Sequence, residues 1–118
     1  MIDGQGNLAS SNKKERLEAI DNHMRWIDFA LKLGCETLRL NLNGEKNLDK
    51  WTDNSVKSLS TLSEYNKNIN VVVENHGGFS SNGKYLANVM SNVNIINCGT
   101  LPDFGNFCMD GSPRNCNN

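Results

Sequence analysis

The chain has 118 residues, room for a single small domain, and a formal net charge of -1 with Lys and Arg scattered along it. Nothing in it resembles the basic footprint of a nucleic-acid binder, and no apolar run is long enough to span a membrane. The opening Met1-Ile2-Asp3-Gly4-Gln5-Gly6 lacks a basic stretch followed by an apolar core, so no signal peptide is expected and a cytoplasmic setting is.

Residues 3–12 are polar and glycine-rich and read as a loop, with Ser10, Ser11 and Asn12 available as helix caps. The spacing of Leu17, Ile20, Met24, Ile27, Ala30 and Leu31 predicts a helix from about Lys13 to Leu33, with Trp26 and Phe29 widening its apolar stripe. Its start, Lys13-Lys14-Glu15-Arg16, reads as a solvated face, and His23 as a helix-surface or packing histidine. Gly34 is a suitable stop. Thr37-Leu38-Arg39-Leu40-Asn41-Leu42 alternates strictly and predicts a strand with the leucines on one face and Thr37, Arg39 and Asn41 on the other.

Asn43-Gly44 ends that strand, and a second helix is expected over about Leu48 to Asn66, with Trp51, Val56, Leu59, Leu62 and Tyr65 on one side. Val71-Val72-Val73 is a continuous β-branched run, as a strand covered on both faces requires. Ser80, Ser81 or Asn82 caps a shorter helix through Tyr85, Leu86, Val89 and Met90. Asn94-Ile95-Ile96-Asn97 is expected to begin a third strand that leads into Gly99 and on to Asp103. From Cys108 to Asn118 the chain is turn-rich.

None of the four cysteines, Cys35, Cys98, Cys108 and Cys116, forms a CxxC pair, so a zinc ribbon or dithiol redox motif is not expected. Cys35, after Gly34 at a helix–strand junction, reads as a small core residue. Cys108 and Cys116 bracket a Gly/Pro/Asn loop and would pair only in an exported protein; the count and spacing are not those of a disulfide scaffold.

Helices and strands therefore alternate, which implies βαβ units and a parallel sheet. Two architectures use that order, the open doubly wound sheet and the closed (β/α)8 barrel. No strand is followed by a GxGxxG phosphate loop, which weakens the first. In the second, functional side chains come from the C-terminal ends of the strands. Glu74 and Asp103 lie at such ends.

Strand periodicity puts Val72, Glu74 and His76 on one side and Val71, Val73 and Asn75 on the other. A buried Glu74 needs a positive partner, because an uncompensated ion costs several kcal/mol, on the order of its desolvation penalty. Two partners meet that need: a divalent metal, or a salt bridge to Arg39 on the neighbouring strand. Asp103, between Pro102 and Phe104-Gly105-Asn106, reads either as an Asx-turn ending its strand or as a second site carboxylate. His76, ahead of Gly77-Gly78, is a candidate for a substrate hydroxyl contact, for acid/base work or for simple packing.

Leu33-Gly34-Cys35-Glu36-Thr37-Leu38-Arg39-Leu40-Asn41, Val73-Glu74-Asn75-His76-Gly77-Gly78 and Gly99-Thr100-Leu101-Pro102-Asp103-Phe104-Gly105-Asn106-Phe107 together resemble the sugar phosphate isomerase/epimerase family. That family lies in the xylose isomerase-like TIM-barrel superfamily, beside AP endonucleases of the endonuclease IV type. The resemblance implies a partial (β/α)8 TIM barrel over residues 1–118. On it, Met1-Ile2-Asp3-Gly4 matches the exit of the third barrel strand, and the chain continues through strand six. A complete barrel needs roughly 250 residues. An open half-barrel would leave edges and apolar surface uncovered, so marginal stability or self-association into homo-oligomers is expected.

The resemblance also implies one divalent metal ion, Mn, Mg, Co or Zn, held by Glu at the end of strand five, Asp at the end of strand six, and a His and a Glu on strands seven and eight. Glu74 and Asp103 match the first two ligands; the other two fall beyond Asn118. Relatives often carry His three residues after the Asp, where this chain has Asn106, which argues against the multi-zinc DNA-repair branch. The implied activity is metal-dependent isomerisation or epimerisation of a small-molecule sugar or sugar phosphate by proton transfer beside a carbonyl. Glu74 would be ligand and acid/base, Asp103 ligand only, and His76, Arg39 and Asn106 substrate contacts. The alternatives are an endonuclease IV-like metal-dependent phosphodiesterase, or a catalytically inactive binding fragment.

Overall fold

The computed structural model describes residues 5–75 and 77–101. His76, Asp103, Asn106, Cys108 and Cys116 lie outside the described residues. Three helices alternate with three strands: α1 (Lys13–Lys32), β1 (Thr37–Leu40), α2 (Leu48–Tyr65), β2 (Asn70–Glu74), α3 (Gly83–Val93) and β3 (Cys98–Leu101), with one 3-10 turn over Gly78–Ser81. The strands form a parallel sheet in the order β1-β2-β3, so β2 is central.

Register fixes what each face carries. Leu38 pairs with Val71 and Leu40 with Val73, and these four are buried in one core with Ile20 and Ile27 of α1, Leu59 and Leu62 of α2 and Val89 of α3. The helices therefore cover one face. Arg39, opposite Val72, points to the other, and so does Glu74, two residues beyond Val72. The continuous valine run does not mean that both faces are covered equally. Val71 and Val73 are fully buried, while Val72 is only half-buried.

Local chemistry explains the boundaries. Asn12 caps α1, its side chain accepting from the Glu15 amide at 3.1 Å, and Glu15 and Lys32 match the two ends of the helix dipole. The far end is a Schellman motif: Gly34 takes φ +79°, its amide donates to the Leu31 carbonyl, and the Cys35 amide donates to Ala30 at 2.9 Å. That geometry throws Cys35 outward. It is exposed and free, not the core residue its position in the sequence implies. The apolar stripe of α1 is also narrower than its spacing predicts. Ala19, Ile20, His23, Ile27 and Ala30 are buried, whereas Leu17, Phe29 and Leu33 are half exposed or more and Trp26 stacks edge-on against Phe29.

Between α3 and β3 the expected strand start is absent. Asn94 adopts the left-handed conformation, φ 45°, and caps α3 through its amide to the Met90 carbonyl, and Ile96 is almost fully exposed. The strand begins at Cys98. Asn97 is instead a buried clamp whose amide donates to the carbonyls of Ser63 at 2.9 Å and Ile69 at 3.0 Å, tying the end of α2 to the start of β2. Among the described residues no helix is long and apolar enough to cross a membrane.

Candidate active site at the strand ends

Parallel strands place their C-terminal ends together, and three loops converge there. The first is residues 5–12, which are polar in sequence yet bury Leu8, Ala9 and Ser10. The Ala9 amide donates to the Asn43 carbonyl at 2.9 Å, just past β1. Ser58 donates to the Leu8 carbonyl at 2.6 Å and Asn54 to that of Ala9 at 3.0 Å. Arg16 completes the brace, donating to the Ser10 carbonyl at 2.8 Å and to Asn54 Oδ1 at 3.3 Å. Arg16 is thus not the solvated charge that its basic neighbours imply. The sequence signal for this brace is Asn54, a polar residue three positions after Trp51 in the apolar stripe of α2.

The second loop follows β1. Gly44 has φ +112°, and a Cβ there would lie 2.4 Å from that of Asn7, so the two loops touch through a glycine. Trp51 is buried beneath, its indole N–H donating to the Leu42 carbonyl at 3.1 Å. Glu45 accepts from the Asn47 amide at 2.9 Å and from the Ser11 hydroxyl, and these hydrogen bonds hold its carboxyl below the usual carboxylate range.

The third loop follows β2. Gly77 and Gly78 take φ +74° and +57° in succession and turn the chain into the 3-10 segment, where Ser80 donates to the Gly77 carbonyl at 2.8 Å. Phe79 anchors this turn between Trp51 and Tyr85, with ring centroids 5.5 and 5.9 Å away.

Glu74 stands at the head of this loop. Its side chain is 8% exposed and its Oε2 forms an ion pair with the Arg39 guanidinium, whose side chain is 22% exposed. The salt bridge weighed in the sequence therefore forms. A buried carboxylate is matched and oriented by a cation one strand away. Asn75, the next residue, is fully buried, and Asn41, just past β1, is half-buried. The other sequence-derived site residues, His76, Asp103 and Asn106, lie outside the described residues.

The family model of the xylose isomerase-like TIM barrel matches residues 2–117, almost the whole chain. The chain belongs to that family. Three parallel strands with helices on one face are accordingly part of a TIM barrel. The face bearing Arg39 and Glu74 is the side turned away from the helices, and the strand ends described above are those at which barrels of this kind place function. No curated protein matches the chain.

The donor set can be compared with the needs of a divalent metal. The described residues contain no group of three or more His, Cys, Asp or Glu side chains able to hold one. They supply one carboxylate of the right hardness, Glu74, at a strand end where oxygen ligands are needed. Glu74 could serve as one ligand only, and its Oε2 is already paired to a cation. Two other titratable groups are set by burial. His23 is buried with Nδ1 2.7 Å from the Ala19 carbonyl, and burial lowers its pKa. Burial pushes the Cys98 thiol up, which makes it a poor nucleophile.

Proposed function

We propose that this chain serves a divalent-metal-dependent isomerase or epimerase of a sugar or sugar phosphate. The observation that carries the reading is Glu74, a buried, ion-paired carboxylate at the end of the central strand, on the face away from the helices. A metal ion of the Mn, Mg, Co or Zn kind, held by Glu74 and Asp103 together with ligands from outside residues 1–118, would supply Lewis-acid polarisation of the substrate carbonyl. Glu74 would take the proton from the neighbouring carbon, and the proton would be returned elsewhere, to the former carbonyl carbon in isomerisation or to the opposite face in epimerisation. Arg39 orients that carboxylate and offers further N–H donors to substrate oxygens. His76 and Asn106 would contact substrate hydroxyls. An exposed, unpaired Cys35 is at home in a reducing cytoplasm, which belongs to the same reading. The phosphodiesterase alternative needs a basic face for a nucleic-acid backbone, which a formal charge of -1 with scattered Lys and Arg does not favour.

The test is Glu74→Gln in the protein that carries this segment, assayed against aldoses, ketoses and their phosphates. Turnover is expected to fall by on the order of 10²-fold or more, the scale of a lost acid/base group, together with metal content. Full activity in the variant would remove the assignment.

A further inference from the structure

Two Asn-Gly pairs lie among the described residues, Asn43-Gly44 past the exit of β1 and Asn82-Gly83 at the start of α3, and the fold treats them differently. We propose that Asn43 is a modification site, deamidated by attack of its own main chain, and that the product loosens the loop at residues 5–12 from the strand ends. Neither step involves Glu74.

Such a reaction needs an asparagine side chain free to turn and a following amide nitrogen free to attack. Glycine in second place leaves that nitrogen unhindered, because it carries no Cβ. Asn43 is exposed, and its side chain has no hydrogen-bond partner among the described residues. Gly44 is exposed as well, and its N–H has no acceptor among them. Only the Asn43 carbonyl is held, by the Ala9 amide at 2.9 Å. Asn82 is half-buried, and its Oδ1 accepts from the amides of Lys84 at 3.0 Å and Tyr85 at 3.3 Å. A capping side chain must leave the helix end before it can turn back on its own main chain.

In the reaction the Gly44 nitrogen bonds to Asn43 Cγ, the Cγ–Nδ2 bond breaks, and ammonia leaves with the proton that the Gly44 nitrogen gives up. Water then opens the cyclic imide at either carbonyl, and nothing is oxidised or reduced. One opening leaves aspartate. The other leaves an isoaspartyl link, in which the main chain runs through the former side chain and gains a carbon. The carbonyl that accepts from Ala9 is then a free carboxylate. Gly44 has little room to absorb the change, since a Cβ there would lie 2.4 Å from that of Asn7. Either product also adds a negative charge close to Glu45, whose hydroxyl partner Ser11 belongs to the same loop.

Ageing the 118-residue chain in mildly alkaline buffer, followed by trypsin digestion and mass spectrometry of residues 40–46 and 68–84, tests this. Fragmentation places the amide-to-acid mass gain on Asn43 or Asn82, and isoaspartyl methyltransferase labels the isoaspartyl form. In the folded chain Asn43 is expected to convert first, with Asn82 on the order of fivefold slower, the rate equivalent of an N-cap worth about 1 kcal/mol. In urea the two should convert alike. Asn43→Gln, whose longer side chain disfavours ring closure, should show no gain at this position. Conversion of Asn82 as fast as Asn43 in the folded chain overturns the proposal, and so does an Asn43 that converts in urea but not when folded. Amide hydrogen exchange reads the loosening: Ala9 should exchange faster in the aged chain and not in aged Asn43→Gln. Unchanged exchange at Ala9 after full conversion overturns that part.

Discussion

At the residue scale, burial decides what a titratable group does. His23 was open in the sequence between a surface and a packing role, and the structure buries it, 3% exposed, with Nδ1 on the Ala19 carbonyl. Desolvation lowers its pKa below the ordinary 6.5 and outweighs the hydrogen bond, which acts the other way. In the unfolded chain the same imidazole titrates near 6.5. Above that pH both states are neutral at this position and the group contributes no pH dependence. As pH falls through about 6.5 the unfolded state takes up the proton first, so stability falls until the folded pKa is passed. Urea denaturation from pH 8 to pH 5 should show this loss. His23→Gln, which can still donate to Ala19 but does not titrate, should remove its share of the slope. An unchanged slope in that variant would assign the acid sensitivity elsewhere.

At the element scale, the two glycines that follow α1 and β1 look alike in sequence and differ in the structure. Gly34 ends α1 at φ +79° with nothing near the place of a Cβ. Gly44 follows β1 at φ +112°, and a Cβ would fall 2.4 Å from Asn7. Gly34→Ala should cost only the left-handed backbone penalty, about 1 kcal/mol. Gly44→Ala should cost more, about 2–4 kcal/mol, because strain is joined by a clash that parts the loop at residues 5–12 from the exit of β1. Denaturation midpoints of the two variants test the order; equal losses would show that the loop contact is soft. The same comparison explains much of what the sequence misplaced. Asn94 and Cys35 were assigned by composition and position, but helix-end geometry sets both. A Schellman end turns Cys35 outward, and a left-handed Asn94 delays the third strand to Cys98.

At the scale of the whole molecule, the sheet is open among the described residues. β1 and β3 each pair on one edge only, and Leu17, Trp26, Phe29 and Leu33 line α1 with exposed apolar surface. Unpaired edges and uncovered apolar area favour association. The 118-residue chain should therefore sediment as larger species with rising concentration, and Trp26→Glu with Phe29→Glu should shift it toward monomer. A compact monomer across the concentration range, melting cooperatively, would show that these surfaces need no partner.

The sequence by itself determined the order of helices and strands and the parallel sheet. Those follow from local periodicity: leucines at alternate positions in β1, β-branched residues in β2, and apolar spacing of three and four in the helices. It also placed Glu74 at a strand end, because a strand's alternation survives to its last residue. It left the partner of Glu74 open, since Arg39 is 35 positions earlier and only the register of β1 on β2 brings the two together. For the same reason the burial of Leu8 and Ala9, and the part Arg16 takes in the brace, could not be read from their polar surroundings. Long-range pairing depends on how elements pack, and packing is what the tertiary structure decides.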